Sequence, residues 1–185
     1  GRADYAFFQH ILASMDNHSG RCAILFPHGV LFRDEEQIMR EELIKYDYLE
    51  CVIGLGPNLF FNASMEACIV ICQKTKPTNR KGKVLFIDAK NEVTRRNAES
   101  YLEAQHINKI VEAYNNYVDV DGFSSIVDNN TIASNRAIIS IQTYVTSLGG
   151  TQIYDIVESL NLWSAQSMST QHEVNQLINI LNQYE

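Results

Sequence analysis

Apolar residues along the chain fall into two periods, and each period predicts its own kind of element. From Asp4, the positions Phe8, Ile11, Leu12 and Met15 recur at helical spacing, which predicts a helix over residues 4–15 closed by Asn17-His18-Ser19-Gly20. Cys22 to Phe26 is apolar without polar alternation, the pattern of a strand buried on both faces in a parallel sheet covered by helices, and Pro27 and Gly29 stop it. Asp34 stands where it would cap a helix beginning at Glu35, with Gln37 as reciprocal partner and Met39, Leu43 and Tyr46 as the stripe. Leu49 to Leu55, Ala67 to Cys72 and Val84 to Ala89 read as three further strands. Residues 97–117 read as helical, in one or two pieces, on the stripe Ile107, Ile110, Val111 and Tyr114; Phe123 to Val127 and Ile138 to Val145 read as extended. After Gly149-Gly150 two amphipathic helices are expected. The first is striped by Ile153, Ile156, Val157 and Leu160. The second opens at Ser169 with Thr170 and Glu173 in capping-box spacing, before Val174, Leu177, Ile178 and Leu181. Strands interleaved with helices make this an α/β chain.

Composition narrows the class. The 185 residues are 45% hydrophobic, enough for a core of ordinary size. No run approaches the roughly 18 apolar residues of a membrane span, and no signal-peptide pattern precedes the first helix, so a soluble cytoplasmic protein without a membrane partner is expected. Cys22, Cys51, Cys68 and Cys72 all fall in predicted strands. Four cysteines allow two disulfides, but Cys-x-x-Cys and Cys/His spacings are absent, so buried reduced thiols and no metal are expected.

A net charge of -7 argues against a protein that grips DNA over its whole surface. One segment dissents: Lys74, Lys76, Arg80, Lys81 and Lys83 surround the Pro77-Thr78-Asn79 turn without a carboxylate, and are candidate contacts to DNA phosphates. The competing reading is a solvated turn between two strands, since no aromatics are interleaved for base stacking.

Loops leaving the carboxyl ends of strands in an open α/β sheet face the ligand crevice, which draws attention to Pro27–Phe32 and to Gly56–Ser64. His28 in the first loop is expected to stabilise the loop or face solvent rather than act as a general base. Arg33 and Arg40 are expected to pair with nearby acids such as Glu36 rather than meet phosphate. The second loop carries two adjacent aromatics, Phe60 and Phe61, which packing does not reward unless something covers them.

Several blocks occur in one order. They are Asp4-Tyr-Ala-Phe-Phe-Gln-His10, Pro27-His-Gly-Val-Leu-Phe-Arg33, Arg40, Val52-Ile-Gly-Leu55, Pro57-Asn-Leu-Phe60 and Val84-Leu-Phe-Ile-Asp-Ala89. Over about residues 1–145 they resemble the modification (methyltransferase) subunit of type I restriction-modification systems. The resemblance implies an S-adenosylmethionine-dependent transfer of a methyl group to the exocyclic N6 amine of adenine in DNA. It also implies the second half of a Rossmann-like methyltransferase sheet. On this reading residues 1–90 are the carboxyl-terminal half of the catalytic domain, 91–148 a mixed α/β extension, and 149–185 a helical tail for self-packing or subunit contact.

The family's Gly-rich cofactor loop and its Asn/Asp-Pro-Pro-aromatic tetrapeptide do not occur in these residues. The resemblance therefore implies no catalytic residue here, a fragment inactive alone, and a cofactor bound mainly by a missing amino-terminal half. The cut edge of the sheet should need a partner. Phe60, with Phe61 in reserve, is implied to hold the extruded adenine; the competing reading makes Leu59 and Phe60 a plug at the end of the sheet. Phe7 is implied to wall the pocket for the cofactor's adenine, against a plain core role. Implied partners are DNA, the missing half, the specificity subunit and the restriction subunit of a type I complex.

The sequence departs from the family pattern at Asn62-Ala63, where Gly-Thr is usual, and at Glu66, where Pro is usual. Loss of the glycine constrains the loop, and a carboxylate facing DNA would repel it. Asn135 and Tyr144-Val145 keep a further pattern in which Ile138 and Ser140 replace inner asparagines. The alternative reading is a non-catalytic, methyltransferase-derived assembly module binding partner subunits. A weaker one is a methyltransferase acting on RNA or protein.

Overall fold

A computed structural model of the chain describes residues 3–60, 64–97 and 99–146. The two amphipathic helices expected after Gly149 lie outside the described residues.

Helix α1 (Asp4–Ser14) buries Tyr5 and Phe8 and half-buries Ile11 and Leu12. Tyr5, which the apolar pattern did not mark, joins the stripe because its ring packs on Phe8 and Phe26 while its hydroxyl donates to the Val30 carbonyl at 3.2 Å. Burial pushes its pKa up. Strand β1 (Arg21–Pro27) follows. Two 3-10 turns, His28–Leu31 and Asp34–Glu36, then lead into α2 (Gln37–Lys45). The expected cap at Asp34 is not made. Asp34 sits in the second turn and pairs with Arg136 at 3.1 Å, and the later helix start moves the buried stripe to Arg40, Leu43 and Ile44, leaving Tyr46 exposed.

The remaining elements are β2 (Leu49–Leu55), β3 (Ala67–Gln73), β4 (Lys83–Ala89), β5 (Thr94–Arg96), β6 (Glu99–Tyr101), α3 (Ala104–Asn116), β7 (Ser124–Asp128), α4 (Asn129–Ser134) and α5 (Ile141–Tyr144). One sheet runs in the order β1-β3-β2-β4-β7, and β5 with β6 forms a separate two-stranded ladder. The sheet is mixed rather than parallel. Strand β3 runs antiparallel to both β1 and β2, β4 runs parallel to β2, and β7 antiparallel to β4. Adjacent parallel strands need a crossover of a dozen or more residues, usually a helix, and the short connection from β2 to β3 favours the antiparallel return.

That same arrangement makes β1, β2 and β4 run in one direction, so their carboxyl ends share a rim. Both faces of β2 and β4 are packed. Val52, Val84 and Phe86 join the core under α1, α2, α4 and α5, while Cys51, Ile53, Leu85 and Ile87 join the core under α3. Packing on two faces removes any need for polar alternation, as the run Leu49 to Leu55 predicted. Strand β1 does not share this. Among the described residues it is an edge strand, with Phe26 buried toward α1 but Ala23 and Leu25 exposed on the other face. An apolar run reports that a strand is apolar, and says nothing of how many neighbours cover it.

Two further expectations are corrected. Thr94–Arg96 and Glu99–Tyr101 pair as the β5–β6 hairpin, and the helix starts only at Ala104, behind a reciprocal capping arrangement of Glu103 and His106. The hairpin turns through Asn97, whose positive φ of 59° asparagine tolerates. On α3 the buried positions are Ile110 and Ala113, and Ile107 and Val111 face solvent. The strand expected over Ile138–Val145 is replaced by α5. Arg136 and Ala137 both take left-handed φ, 54° and 49°, which turns the chain before an extended run can form.

All four cysteines are free thiols in or beside the cores. Cys22 lies directly opposite Cys72 across β1 and β3. The Cys72 thiol donates to the Cys22 sulfur and draws Cys22 down to about 7, while Cys72 itself is raised; burial raises Cys51 and pushes Cys68 up to about 12. Thiolate is the reactive form, so iodoacetamide at neutral pH is expected to label Cys22 first in the folded protein. Peptide mapping that finds Cys51 or Cys68 labelled equally fast would contradict this.

Candidate nucleic-acid interface

The rim formed by the carboxyl ends of β1, β2 and β4 gathers the two loops singled out above. Pro27 ends β1, and the next residue, His28, is tied to the start of β3: its backbone N–H donates to the Glu66 carbonyl at 3.3 Å, and its Nδ1 lies 3.6 Å from the Glu66 carboxylate. Glu66 is thus turned to His28. Asp4, His28, Arg33, Met65 and Glu66 line an open cleft of about 680 Å³. Arg33 pairs with Glu36 at 3.0 Å and Asp4 at 3.6 Å, as expected for pairing. Arg40 does something else. It is buried, and donates to the carbonyls of Ala137 (2.8 Å), Arg33 (2.8 Å) and Val30 (3.3 Å), so it ties three backbone segments together instead of meeting an acid.

The loop after β2 is held from below. A side chain at Gly56 would come within 2.5 Å of the Lys90 carbonyl, so the residue must be glycine for the chain after β4 to pass this close. Asn58 takes a positive φ of 59°, and its carbonyl accepts from the Ser100 N–H at 2.8 Å. Leu59 then packs against the core under α3, while Phe60 is 39% exposed. Of the two residues proposed as a plug, Leu59 fills that role and Phe60 is left presenting its ring. Phe61, Asn62 and Ala63 lie outside the described residues. Phe7 is 69% exposed, so the core reading of Phe7 is overturned: its neighbour Phe8 is the core residue.

The basic segment sits elsewhere. Because β3 runs opposite to β2, its carboxyl end delivers residues 74–82 to the other rim, where they cross under the amino end of β2. Lys76 is 3% exposed, and its Nζ donates to the carbonyls of Leu49 (2.9 Å) and Lys83 (2.7 Å) beside the Asp47 carboxylate. Burial draws it below the ordinary lysine range against the pull of Asp47. Arg80 pairs at 2.8 Å with Glu50. Lys76 and Arg80 are therefore committed inside the fold and leave the set of phosphate candidates. Lys74 lies over the Tyr48 ring, and Lys81 and Lys83 are exposed.

Glu50, in the apolar run of β2, escaped notice as a functional group. It is buried, accepts from Tyr114 Oη at 3.0 Å and lies 3.6 Å from Arg21. Its signal was a lone acid inside an otherwise apolar strand. Asn135 and Tyr144 do meet, the amide donating to the Tyr144 oxygen at 3.4 Å while that hydroxyl donates to the Ile138 carbonyl at 2.7 Å. Among the described residues no group of three or more His, Cys, Asp or Glu is placed to hold a metal ion, and no helix is long and apolar enough to cross a membrane.

A family model described as N-6 DNA methylase matches residues 1–150. The methylase subunit of the MjaVIII type I restriction enzyme of Methanocaldococcus jannaschii is 33% identical over 160 residues, which are 84% of this chain and 27% of that protein. The MpnII methylase subunit of Mycoplasma pneumoniae is 29% identical over 84% of this chain and 28% of its own length. The crystal structure of a type I restriction-modification system methyltransferase subunit from Streptococcus thermophilus superposes with a TM-score of 0.72 at 36% identity, over 78% of this chain and 30% of that one. The chain thus spans under a third of the length of these relatives.

Proposed function

The chain belongs to the N-6 DNA methylase family, and from that premise we propose that it is the part of a type I methylase subunit that receives the target adenine at the Phe60 rim. The reaction is transfer of a methyl group from S-adenosylmethionine to the adenine N6 amine. A base inside a duplex cannot be reached until it is swung out of the stack, and an aromatic face then holds the ring. The observation that carries this reading is the split between neighbours: Leu59 packs against the core under α3, whereas Phe60 keeps 39% of its surface exposed. Phe61 is the reserve stacking residue and Phe7 the candidate wall for the cofactor's adenine. Among the earlier phosphate candidates Lys74, Lys81 and Lys83 remain.

The sheet supports a division of labour with another segment of the subunit. Strand β1 pairs with β3 on one side, and among the described residues nothing pairs with its other edge. On the face away from α1, the cross-strand pairs Ala23 with Ile71 and Leu25 with Ile69 form an apolar patch whose β1 members are exposed. An open apolar edge is a template for another strand. Residues 1–90 are proposed as half of the catalytic domain, completed along β1 by the segment that binds the methyl donor. Residues 91–148 are proposed as an extension that returns β7 to the same sheet, and residues 149–185 as a tail for self-packing or contact with the specificity subunit. DNA, that subunit and the restriction subunit are the proposed partners.

In the intact subunit, Phe60→Ala is expected to lower methylation about 5- to 150-fold, the equivalent of the roughly 1–3 kcal/mol that base stacking contributes. Thermal stability should stay within about 1 kcal/mol, as for an exposed side chain. Equal losses in both would make Phe60 part of the plug after all. An intact subunit, assembled with its partners, that methylates no adenine would remove the reading altogether.

A further inference from the structure

We propose that the β5–β6 hairpin is a second nucleic-acid contact of the Phe60 rim, with Arg95 meeting a phosphodiester of the strand whose base Phe60 receives. The inference rests on the adenine-receiving role of that rim. Two observations carry it.

The hairpin is built onto the Phe60 loop. The Ser100 N–H donates to the Asn58 carbonyl, so the loop lies against β6 as a further strand would, and Gly56 lets residues 90–93 pass beneath it. Arg95 on β5 is therefore two strand spacings from the loop, roughly 10 Å. That is a span of about three nucleotides at roughly 3.4 Å each.

Charge on the hairpin is committed everywhere except at Arg95. Glu92 pairs with Lys109, Glu103 with Arg96, and Glu99 accepts from the Tyr101 hydroxyl. Elsewhere Arg21 and Arg80 share Glu50, Arg33 has Glu36, Arg40 has its carbonyls and Arg136 has Asp34. Arg95 is exposed, and among the described residues it alone of the arginines has no partner. In a chain of net charge -7 that binds its other described guanidiniums to its own acids or carbonyls, one left without a partner two strand spacings from the Phe60 loop is placed to meet a phosphate.

The test measures binding of the intact methylase subunit, assembled with its partner subunits, to a fluorescent duplex across a salt series. Each phosphate contact contributes about 0.9 to the slope of log affinity against log salt. Arg95→Ala is expected to lower that slope by about one contact with an unchanged melting temperature, Arg95→Lys to keep it, and Phe60→Ala to keep it too. An unchanged slope in Arg95→Ala, while the wild-type complex binds and methylates DNA, overturns the hairpin contact and leaves the adenine reading standing. Loss of subunit assembly in Arg95→Ala at an unchanged slope would also overturn it, assigning Arg95 to an acidic protein surface. Failure of the wild type to methylate DNA would instead strike the adenine reading itself.

Discussion

Glu50→Ala is expected to destabilise the protein by about 3–5 kcal/mol, the usual consequence of removing one partner of a buried ion pair. At roughly 2–4 °C per kcal/mol for a chain of this size, the melting temperature should fall by about 6–20 °C. The magnitude follows from what the carboxylate leaves behind. Its side chain is 1% exposed, and it faces Arg80 at 2.8 Å, the Tyr114 hydroxyl at 3.0 Å and Arg21 at 3.6 Å. Arg80 would remain between the Tyr114 and Tyr117 rings, still donating to the Tyr114 and Asn115 carbonyls at the end of α3, but with no counter-charge. The double substitution Glu50→Met with Arg80→Met should cost less than Glu50→Ala alone, since a buried pair replaced by apolar groups leaves no orphan charge. High salt should not mask the loss, because a buried pair is poorly screened. A fall below about 1 kcal/mol in chemical denaturation would show that Glu50 is solvated in solution.

Arg40→Ala should be about as damaging. Without the guanidinium the Ala137 carbonyl loses its donor, while the Val30 and Arg33 carbonyls keep the Tyr5 hydroxyl and the Glu36 N–H, and removing a fully buried long side chain leaves a cavity, so roughly 2–5 kcal/mol is expected. Arg40→Lys should recover little of it. A lysine ammonium is a compact point charge, and cannot reach in three directions as the planar fork does. The loss should also be felt far along the chain. The Ala137 carbonyl belongs to a residue at φ 49°, next to Arg136 at φ 54°, and this left-handed pair, which costs roughly 1–2 kcal/mol per residue, is pinned by the bond to Arg40. Hydrogen exchange should therefore speed up at the Ile139 amide, which donates to the Leu31 carbonyl, as well as around α2. Normal protection at Ile139 in a destabilised Arg40→Ala protein would show that Arg40 acts on its own helix alone.

Much of the fold was legible where packing acts on a strand or helix locally. The runs Leu49 to Leu55 and Val84 to Ala89 are strands within a residue of where the apolar pattern put them, because each is covered on both faces. The first helix was legible for a similar reason, apart from Tyr5, whose hydroxyl disguises a core ring. The failures share another cause. Arg95-Arg96 and Glu99-Ser100 carry too few apolar residues to reveal a ladder, so residues 97–117 read as one helical stretch when a hairpin occupies its start. Asp34 looked like a cap, but the helix it would cap begins three residues later.

For the site, the order of blocks was enough to identify the family and to single out Phe60, and a loop aromatic with 39% of its surface exposed is what the structure shows there. The basic segment was misread in part, since Lys76 and Arg80 in a charged turn look solvated until the turn is seen to pass under β2. Residue types and their periods depend only on neighbours along the chain, so the sequence by itself determined the α/β class, the central strands and the aromatic loop. Which rim each loop reaches, and that among the described residues β1 is an edge and one arginine near Phe60 lacks a partner, depend on the direction of β3 and on contacts between residues far apart in sequence. Only the tertiary structure decided those, because strand direction and charge pairing are settled when distant segments compete for the same space.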